Sequence, residues 1–304
     1  MTSIGVIGLG IMGSAMTANL MRARYRVVGY DVLEARRRAH RRAGGVVARD
    51  AGEVGRVASV VICSLPSSAA LRSVAAELAA AGRRGLIVVE TSTLPIADKE
   101  AARDVLAAAG ATLLDCPLSG TGSQARVRDL VVYASGDRRA YRRAGPILDA
   151  VARARFHVGA FGAGSRIKFV ANLLVAIHNV AGAEAMVLAM KAGLDPALAF
   201  RVLSAGAGTS RMFQVRGPMM VKGDYSTALM KLGVWQKDMS IIAAFAQGLG
   251  CPTPLFDATG PLYTAAIAQG RQEEDTGAVC AVLEGMAQFS RAGKVRSAKY
   301  KVRS

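Results

Sequence analysis

The stretch Ile4-Gly5-Val6-Ile7-Gly8-Leu9-Gly10-Ile11-Met12-Gly13-Ser14-Ala15-Met16-Thr17-Ala18-Asn19-Leu20 reads as a strand, a tight turn and a helix. Ile4, Val6 and Ile7 form a short apolar run, Gly8, Gly10 and Gly13 fit G-x-G-x-x-G, and Met16 to Leu20 continues at helical spacing. Each glycine has its own task. The first permits the sharp turn out of the strand, the second lets backbone approach a pyrophosphate, and the third lets the helix lie close on the sheet. Phosphate oxygens would then sit over the unpaired N–H groups at the helix N-terminus, beside Leu9, Ile11 and Met12.

A Gly-rich turn alone is weak evidence in a chain with 33 glycines. The next apolar run, Tyr25 to Tyr30, strengthens it. It ends at Asp31, close to the roughly 20-residue offset at which an acid accepts the adenosine ribose hydroxyls. The expected ligand is therefore a dinucleotide. An acid there repels a 2′-phosphate, which favours NAD over NADP. Arg36, Arg37 and Arg38 weaken that preference, since one of them could reach a phosphate; the plainer reading of the three is a solvated helix face.

With 304 residues, 52% hydrophobic and 20% charged, the chain has the composition of a folded globular protein with room for two domains. No signal peptide is apparent, and the most apolar long stretch, Phe169 to Met190, is interrupted by Asn172, His178, Asn179 and Glu184. It fits a buried helix better than a membrane span. Cys63, Cys116, Cys251 and Cys280 lack C-x-x-C spacing and fit a reducing cytoplasm. Histidines 40, 157 and 178 fall in separate elements, so no metal site is expected.

The net charge of +17 raises nucleic-acid binding as an alternative. Five arginines lie between Arg36 and Arg42, and six Lys or Arg residues with no acid lie between Arg291 and Ser304. Neither cluster interleaves aromatics for base stacking, and aromatics are only 5% overall. Nucleic acid is disfavoured, and an anionic substrate and cofactor would gain from the same field.

Downstream of Asp31, apolar runs alternate with helical patterns up to the strand Ala154 to Val158, which implies a doubly wound, Rossmann-type parallel α/β sheet over residues 1–164. Ser59 to Pro66 is a strand whose end, at Leu65, Pro66 and Ser67, should face the same crevice as the Gly-rich turn. From Ser165 helical periodicity takes over, so residues 165–304 should form an all-α domain, the boundary being the glycine cluster at 159–164.

Three stretches are candidates for chemistry. Lys168 and Asn172 lie four apart on the helix that opens at Ser165, and Asn179 continues near that face. A lysine inside an apolar helix is costly without a partner or a purpose. Desolvation and a nearby nicotinamide cation would lower its pKa toward that of a general base. In Ser119-Gly120-Thr121-Gly122, small residues after a strand offer N–H groups and hydroxyls to a carboxylate, or form an ordinary turn. Lys237 and Asp238 precede a helix from Met239 to Leu249; adjacent residues do not face one another there, so a simple surface ion pair is not expected, and solvated charges are the plain alternative.

Together these pieces resemble the β-hydroxyacid dehydrogenase family, which includes 3-hydroxyisobutyrate dehydrogenase, tartronate semialdehyde reductase and, more distantly, 6-phosphogluconate dehydrogenase. The resemblance runs from Gly5 to Gly13 through Leu65-Pro66-Ser67, Thr91-Ser92-Thr93, Asp115 to Gly120 and Gly162 to Asn172 to Lys237-Asp238. It implies that Lys168 is catalytic with Asn172 orienting substrate, that Ser119 and Gly120 bind the substrate carboxylate, that Thr93 and Lys237 contact the cofactor near the nicotinamide, and that Asp238 lines the cleft. Two departures flank the acid-binding loop: Thr121 stands where the family has a second glycine, and residues 124–129 replace a glycine-rich continuation. Arg126 or Arg128 could recognise an extra anionic group, with surface placement the plainer reading.

The expectation is a reversible NAD-dependent oxidoreductase, with NADP as the other cofactor to test, acting on a small 3-hydroxy acid or its semialdehyde. A homodimer or homotetramer is expected from the apolar helical half. Rival readings are an imine reductase, which Lys168 argues against, a β-decarboxylating dehydrogenase, and a non-catalytic dinucleotide-sensing or nucleic-acid-binding protein.

Overall fold

The computed structural model describes residues 3–291, and the chain divides into two compact units, Met1–Val170 and Ala171–Ser304. In the first, β1 (Ser3–Ile7), α1 (Ile11–Arg22), β2 (Arg26–Tyr30), α2 (Glu34–Arg42), β3 (Val46–Val47), α3 (Ala51–Val57), β4 (Val60–Cys63), α4 (Ser68–Ala80), β5 (Ile87–Glu90), α5 (Ile96–Ala108) and β6 (Thr112–Asp115) alternate. The six strands form one parallel sheet in the order β3-β2-β1-β4-β5-β6, with Ile4 opposite Val27 on one side and Val60 on the other. Helices cover both faces, so the strands read as continuous apolar runs. Alternate residues serve opposite cores: Val60 and Ile62 pack with Met16, Leu20 and Leu148, while Val61 and Cys63 pack with Val54, Leu71 and Leu78. Each such side chain, fully buried, contributes roughly 1.5–3 kcal/mol.

The last strands depart from the single sheet expected over the first 164 residues. β7 (Leu118–Ser119), β8 (Val131–Ala134) and β9 (Ala154–His157) form a separate three-stranded sheet, with β7 antiparallel to β8. The link between β7 and β8 holds only α6 (Gly122–Arg126), too short for the crossover that a parallel partner requires. β8 and β9 are parallel because α7 (Arg138–Val151) lies between them. The isolated bridge between Asp115 and Ser135 is the seam between the two sheets.

α8 (Ala163–Lys191) begins inside the glycine cluster and continues past the division between the units, which falls after Val170. By length and hydropathy it is the one described helix able to cross a membrane, and 44% of its most apolar window is buried. Asn172 and Asn179 are among its buried residues.

The second unit adds α9 (Pro196–Ala205), α10 (Arg211–Lys222), α11 (Leu232–Gly248), α12 (Pro254–Ala268), a 3-10 turn (Thr276–Ala278) and α13 (Val279–Met286). Asp195 and Ser210 cap α9 and α10 through side-chain oxygens, accepting from Leu198 N at 2.7 Å and Phe213 N at 3.1 Å. The later part of α8 is tied to this unit at Asn179, whose amide donates to Tyr263 Oη and Thr276 Oγ1, each at 3.3 Å. The Arg216 guanidinium, buried, donates to Asp275 Oδ1 at 2.8 Å, while Leu229 N and Met230 N donate to Asp275 Oδ2. Arg291 closes the described chain, pairing with Glu284 and donating to the carbonyls of Met220 and Val221. The rest of the basic tail, 292–304, lies outside the described residues.

Candidate functional site

The strand order reverses between β1 and β4, and the loops after these two strands flank the place where open parallel sheets bind ligands. After β1 the three glycines have distinct environments. Gly8 has φ +88, and a Cβ there would stand 2.1 Å from the Ser64 carbonyl oxygen. At Gly13 a Cβ would stand 1.8 Å from the Gly8 carbonyl oxygen, so only glycine lets α1 approach the turn. Gly10 differs: a Cβ there would meet nothing nearer than the Arg36 guanidinium at 3.7 Å. Gly10 is also the N-cap of α1 and, as a glycine, offers the first-turn amides no side-chain cap. An open backbone over uncapped N–H groups suits a pyrophosphate, and a dinucleotide fits this cradle.

Asp31 lies after β2 and is 4% exposed. Its Oδ2 accepts Leu9 N at 2.8 Å, and its Oδ1 accepts Leu33 N at 2.9 Å. Arg36 Nη1 stands 3.1 Å from Oδ2. The carboxylate expected to receive ribose hydroxyls therefore also braces the Gly-rich turn. After β4, Leu65 N donates to Ser92 Oγ at 2.7 Å, so the Leu65-Pro66 turn is held by the residue before Thr93. Ser67 caps α4 through Ala70 N. Pro66 is exposed and Leu65 half-buried, as residues lining an open crevice are.

The loop expected to bind the substrate acid is held against α1. Asn19 in α1 donates to the Ala125 carbonyl at 2.7 Å, Arg22 donates to the Arg126 carbonyl at 2.9 Å, and a Cβ on Gly122 would stand 2.4 Å from Ile11 Cγ2. Ser119 ends β7, and Gly120 follows with φ +134. Thr121 is not simply a glycine replaced. It forms a capping box with Gln124, whose Oε1 accepts Thr121 N at 3.0 Å and whose amide donates to Asp129 Oδ2 at 2.9 Å. The departures from the glycine-rich pattern thus form one hydrogen-bonded unit that shapes α6. Arg128 is exposed and donates to the Asp149 carbonyl, and Arg126 is exposed.

A buried charged cluster, not singled out in the sequence, holds the start of α8. Lys99 of α5, wholly buried, lies 2.6 Å from Glu90 Oε2 and 2.9 Å from Asp115 Oδ1, and donates to the Ser92 carbonyl at 2.6 Å. Burial opposes its charge, but the two carboxylates outweigh that and raise its pKa above the usual lysine value. Asp115 in turn accepts Ser165 N and Ser165 Oγ, each at 2.8 Å, and Ser135 Oγ at 3.1 Å. Three residues beyond this anchor stands Lys168, half-buried. The one hint in the sequence was a lysine on the apolar side of a helix, between strands that both end in acids.

In the helical unit, Asn172 donates from Nδ2 to Asp238 Oδ2 at 3.1 Å, and Lys237 Nζ stands 3.0 Å from Asp238 Oδ1. Two expectations change here. α11 begins at Leu232, not Met239, so Lys237 and Asp238 sit in its second turn. The lysine stem also curls back to its neighbour, an ion pair that helix geometry had argued against. Asp238 is 4% exposed, so it is not a solvated charge at a helix start, whereas Lys237 is half-buried.

Residues 3–159 match the family model of the NAD binding domain of 6-phosphogluconate dehydrogenase, and residues 162–283 match that of NADP-dependent 3-hydroxyisobutyrate dehydrogenase. L-threonate dehydrogenase of Cupriavidus necator is 34% identical over 288 residues, covering 93% of this chain and 97% of that protein. The structure of 3-hydroxyisobutyrate dehydrogenase from Salmonella typhimurium superposes with a TM-score of 0.85 at 31% identity, covering 93% of this chain and 100% of that one. The Mycobacterium tuberculosis 3-hydroxyisobutyrate dehydrogenase with L-serine gives 0.83 at 30%, covering 93% and 99%. An imine reductase from Pseudomonas, 21% identical with a TM-score of 0.59 over 93% of this chain and 99% of that one, shares the fold alone. With the Gly-rich cradle, the reversed strand order and matches along nearly its whole length, the chain belongs to the β-hydroxyacid dehydrogenase family of NAD(P)-dependent oxidoreductases.

Proposed function

We propose that the chain interconverts a small 3-hydroxy acid and the corresponding oxo acid, with Lys168 as the general acid and base. The observation that carries this is α8 itself, which presents Lys168 and Asn172 one turn apart on one face, with the Asn172 amide oriented by the buried Asp238. When bound, the nicotinamide supplies the hydride acceptor or donor at C4. Lys168 takes the substrate hydroxyl proton in oxidation and returns it in reduction. Asn172 orients the reacting oxygen, and Asp238 fixes the Asn172 amide so that its carbonyl oxygen stays free to accept. Ser119 and Gly120 bind the substrate carboxylate, and Thr121 shapes their loop through its cap. Thr93 and Lys237 serve the cofactor near the nicotinamide.

A positioned proton-transfer group contributes ~10²–10⁴-fold to rate. Lys168→Ala should therefore remove most turnover while leaving NADH binding within about twofold. The assay is absorbance at 340 nm with 3-hydroxyisobutyrate, L-serine and L-threonate as the panel. Equal loss of turnover and cofactor affinity would make Lys168 a structural residue and sink the assignment.

We also propose a homo-oligomer, supported by the exposed apolar residues Leu188, Leu194, Leu198 and Val202 on and after the end of α8. Elution as a monomer in size-exclusion chromatography at micromolar concentration would overturn it. Four free cysteines suit a reducing cytoplasm.

A further inference from the structure

We propose that Arg36 decides how strictly this chain discriminates between NADH and NADPH, by offsetting the repulsion that Asp31 would exert on a 2′-phosphate. The three arginines at the start of α2 are not equivalent. Arg38 turns away and pairs with Glu34 at 2.7 Å, an exposed pair along the helix. Arg37 donates to the carbonyls of Asp31 at 2.6 Å and Val32 at 3.0 Å, and its guanidinium lies 5.9 Å from the centre of the Tyr30 ring. Arg36 alone reaches the Asp31 carboxylate, at 3.1 Å, and the same guanidinium is the nearest side chain to Gly10. It therefore spans the interval between the ribose-binding acid and the phosphate-binding turn.

Charge and valence give the consequence. Asp31 carries one negative charge, and two backbone N–H groups hold it in place, so it cannot swing away from an incoming phosphate. Without Arg36, a 2′-phosphate of charge about −2 would meet a buried, fixed carboxylate. With Arg36, Nη1 stays on that carboxylate and offsets its charge, while the other N–H donors of the half-exposed guanidinium are left for the phosphate. For NADH the balance differs. The ribose hydroxyls need an acceptor on Asp31, and Arg36 competes for Oδ2. The same residue therefore helps NADPH and slightly hinders NADH.

The inference rests on the dinucleotide site and not on Lys168, so its test reads binding. Titration of the purified full-length chain with NADH and with NADPH, followed by nicotinamide fluorescence, gives a dissociation constant for each. Arg36→Ala should weaken NADPH by about tenfold or more and leave NADH unchanged or tighter, whereas Arg38→Ala should leave both as they were. An unchanged ratio in Arg36→Ala, or equal weakening of both cofactors, would overturn the proposal, the second result making Arg36 a brace of the turn. Failure of the wild-type chain to bind either cofactor would overturn it as well. Intact cofactor binding without turnover on any hydroxy acid would count against the substrate reading alone.

Discussion

Asp115 in the nucleotide unit and Asp275 in the helical unit are both wholly buried, and both pair with a buried cation. They differ in how their charge is balanced. Arg216 and Asp275 are one cation and one carboxylate, with Leu229 N, Met230 N and Gly277 N completing the oxygens, so the centre is neutral. Lys99 instead serves two carboxylates, Glu90 and Asp115, which leaves one negative charge buried. That excess is met by dipoles: the Ser135 and Ser165 hydroxyls and the Ser165 N–H in the first turn of α8, a helix N-terminus that carries partial positive charge. The neutral pair closes loops around α10, while the charged cluster needs the start of α8 in place. Position of that helix and solvation of that charge are thus one requirement.

The largest effect should come from removing Lys99. Lys99→Met leaves two buried carboxylates without a cation, and breaking a buried pair costs about 3–5 kcal/mol even for one orphaned charge. Arg216→Met orphans one carboxylate that still has three amide donors, so its cost should sit at the lower end of that range. Urea unfolding of both variants ranks them; equal losses would show that the second carboxylate of the Lys99 cluster does not matter.

A smaller effect separates the two cations by pH. The Lys99 pKa is raised in the folded chain, so the stability it contributes is fully present below its unfolded value near 10.5 and is lost as pH rises through the folded value. A guanidinium, unlike an ammonium, does not give up its proton in a protein. Above pH ~10.5, nicotinamide binding by the first unit should fail before the fluorescence of Trp235, the chain's only tryptophan, reports change in the second. Simultaneous loss would break the contrast.

Much of the nucleotide unit was legible because its cues are local. Gly8 takes a φ that other residues rarely adopt, Gly13 leaves no room for a Cβ, and Ser67 before α4 and Gly44 after the arginine-rich α2 mark helix limits. The separate sheet of β7, β8 and β9 was not legible, because strand direction depends on the length of a link that concealed α6. The Lys168–Asn172 face followed from helical period. The start of α11 did not, because Leu232 N and Gly233 N bond to the carbonyls of Glu274 and Gln272, some forty residues away.

Spacing and residue type, read along the chain, determined the glycine cradle, the doubly wound order up to β6, the helical second half and the family, since each depends on steric limits or periodicities within a few turns. Only the folded chain decided that Asp31 is braced by Leu9 and Arg36, that Thr121 caps α6, and that Lys99, Glu90 and Asp115 share one buried site at the head of α8. Charges buried in a medium of low polarity interact strongly with whatever the fold places beside them, and sequence separation carries no information about that distance.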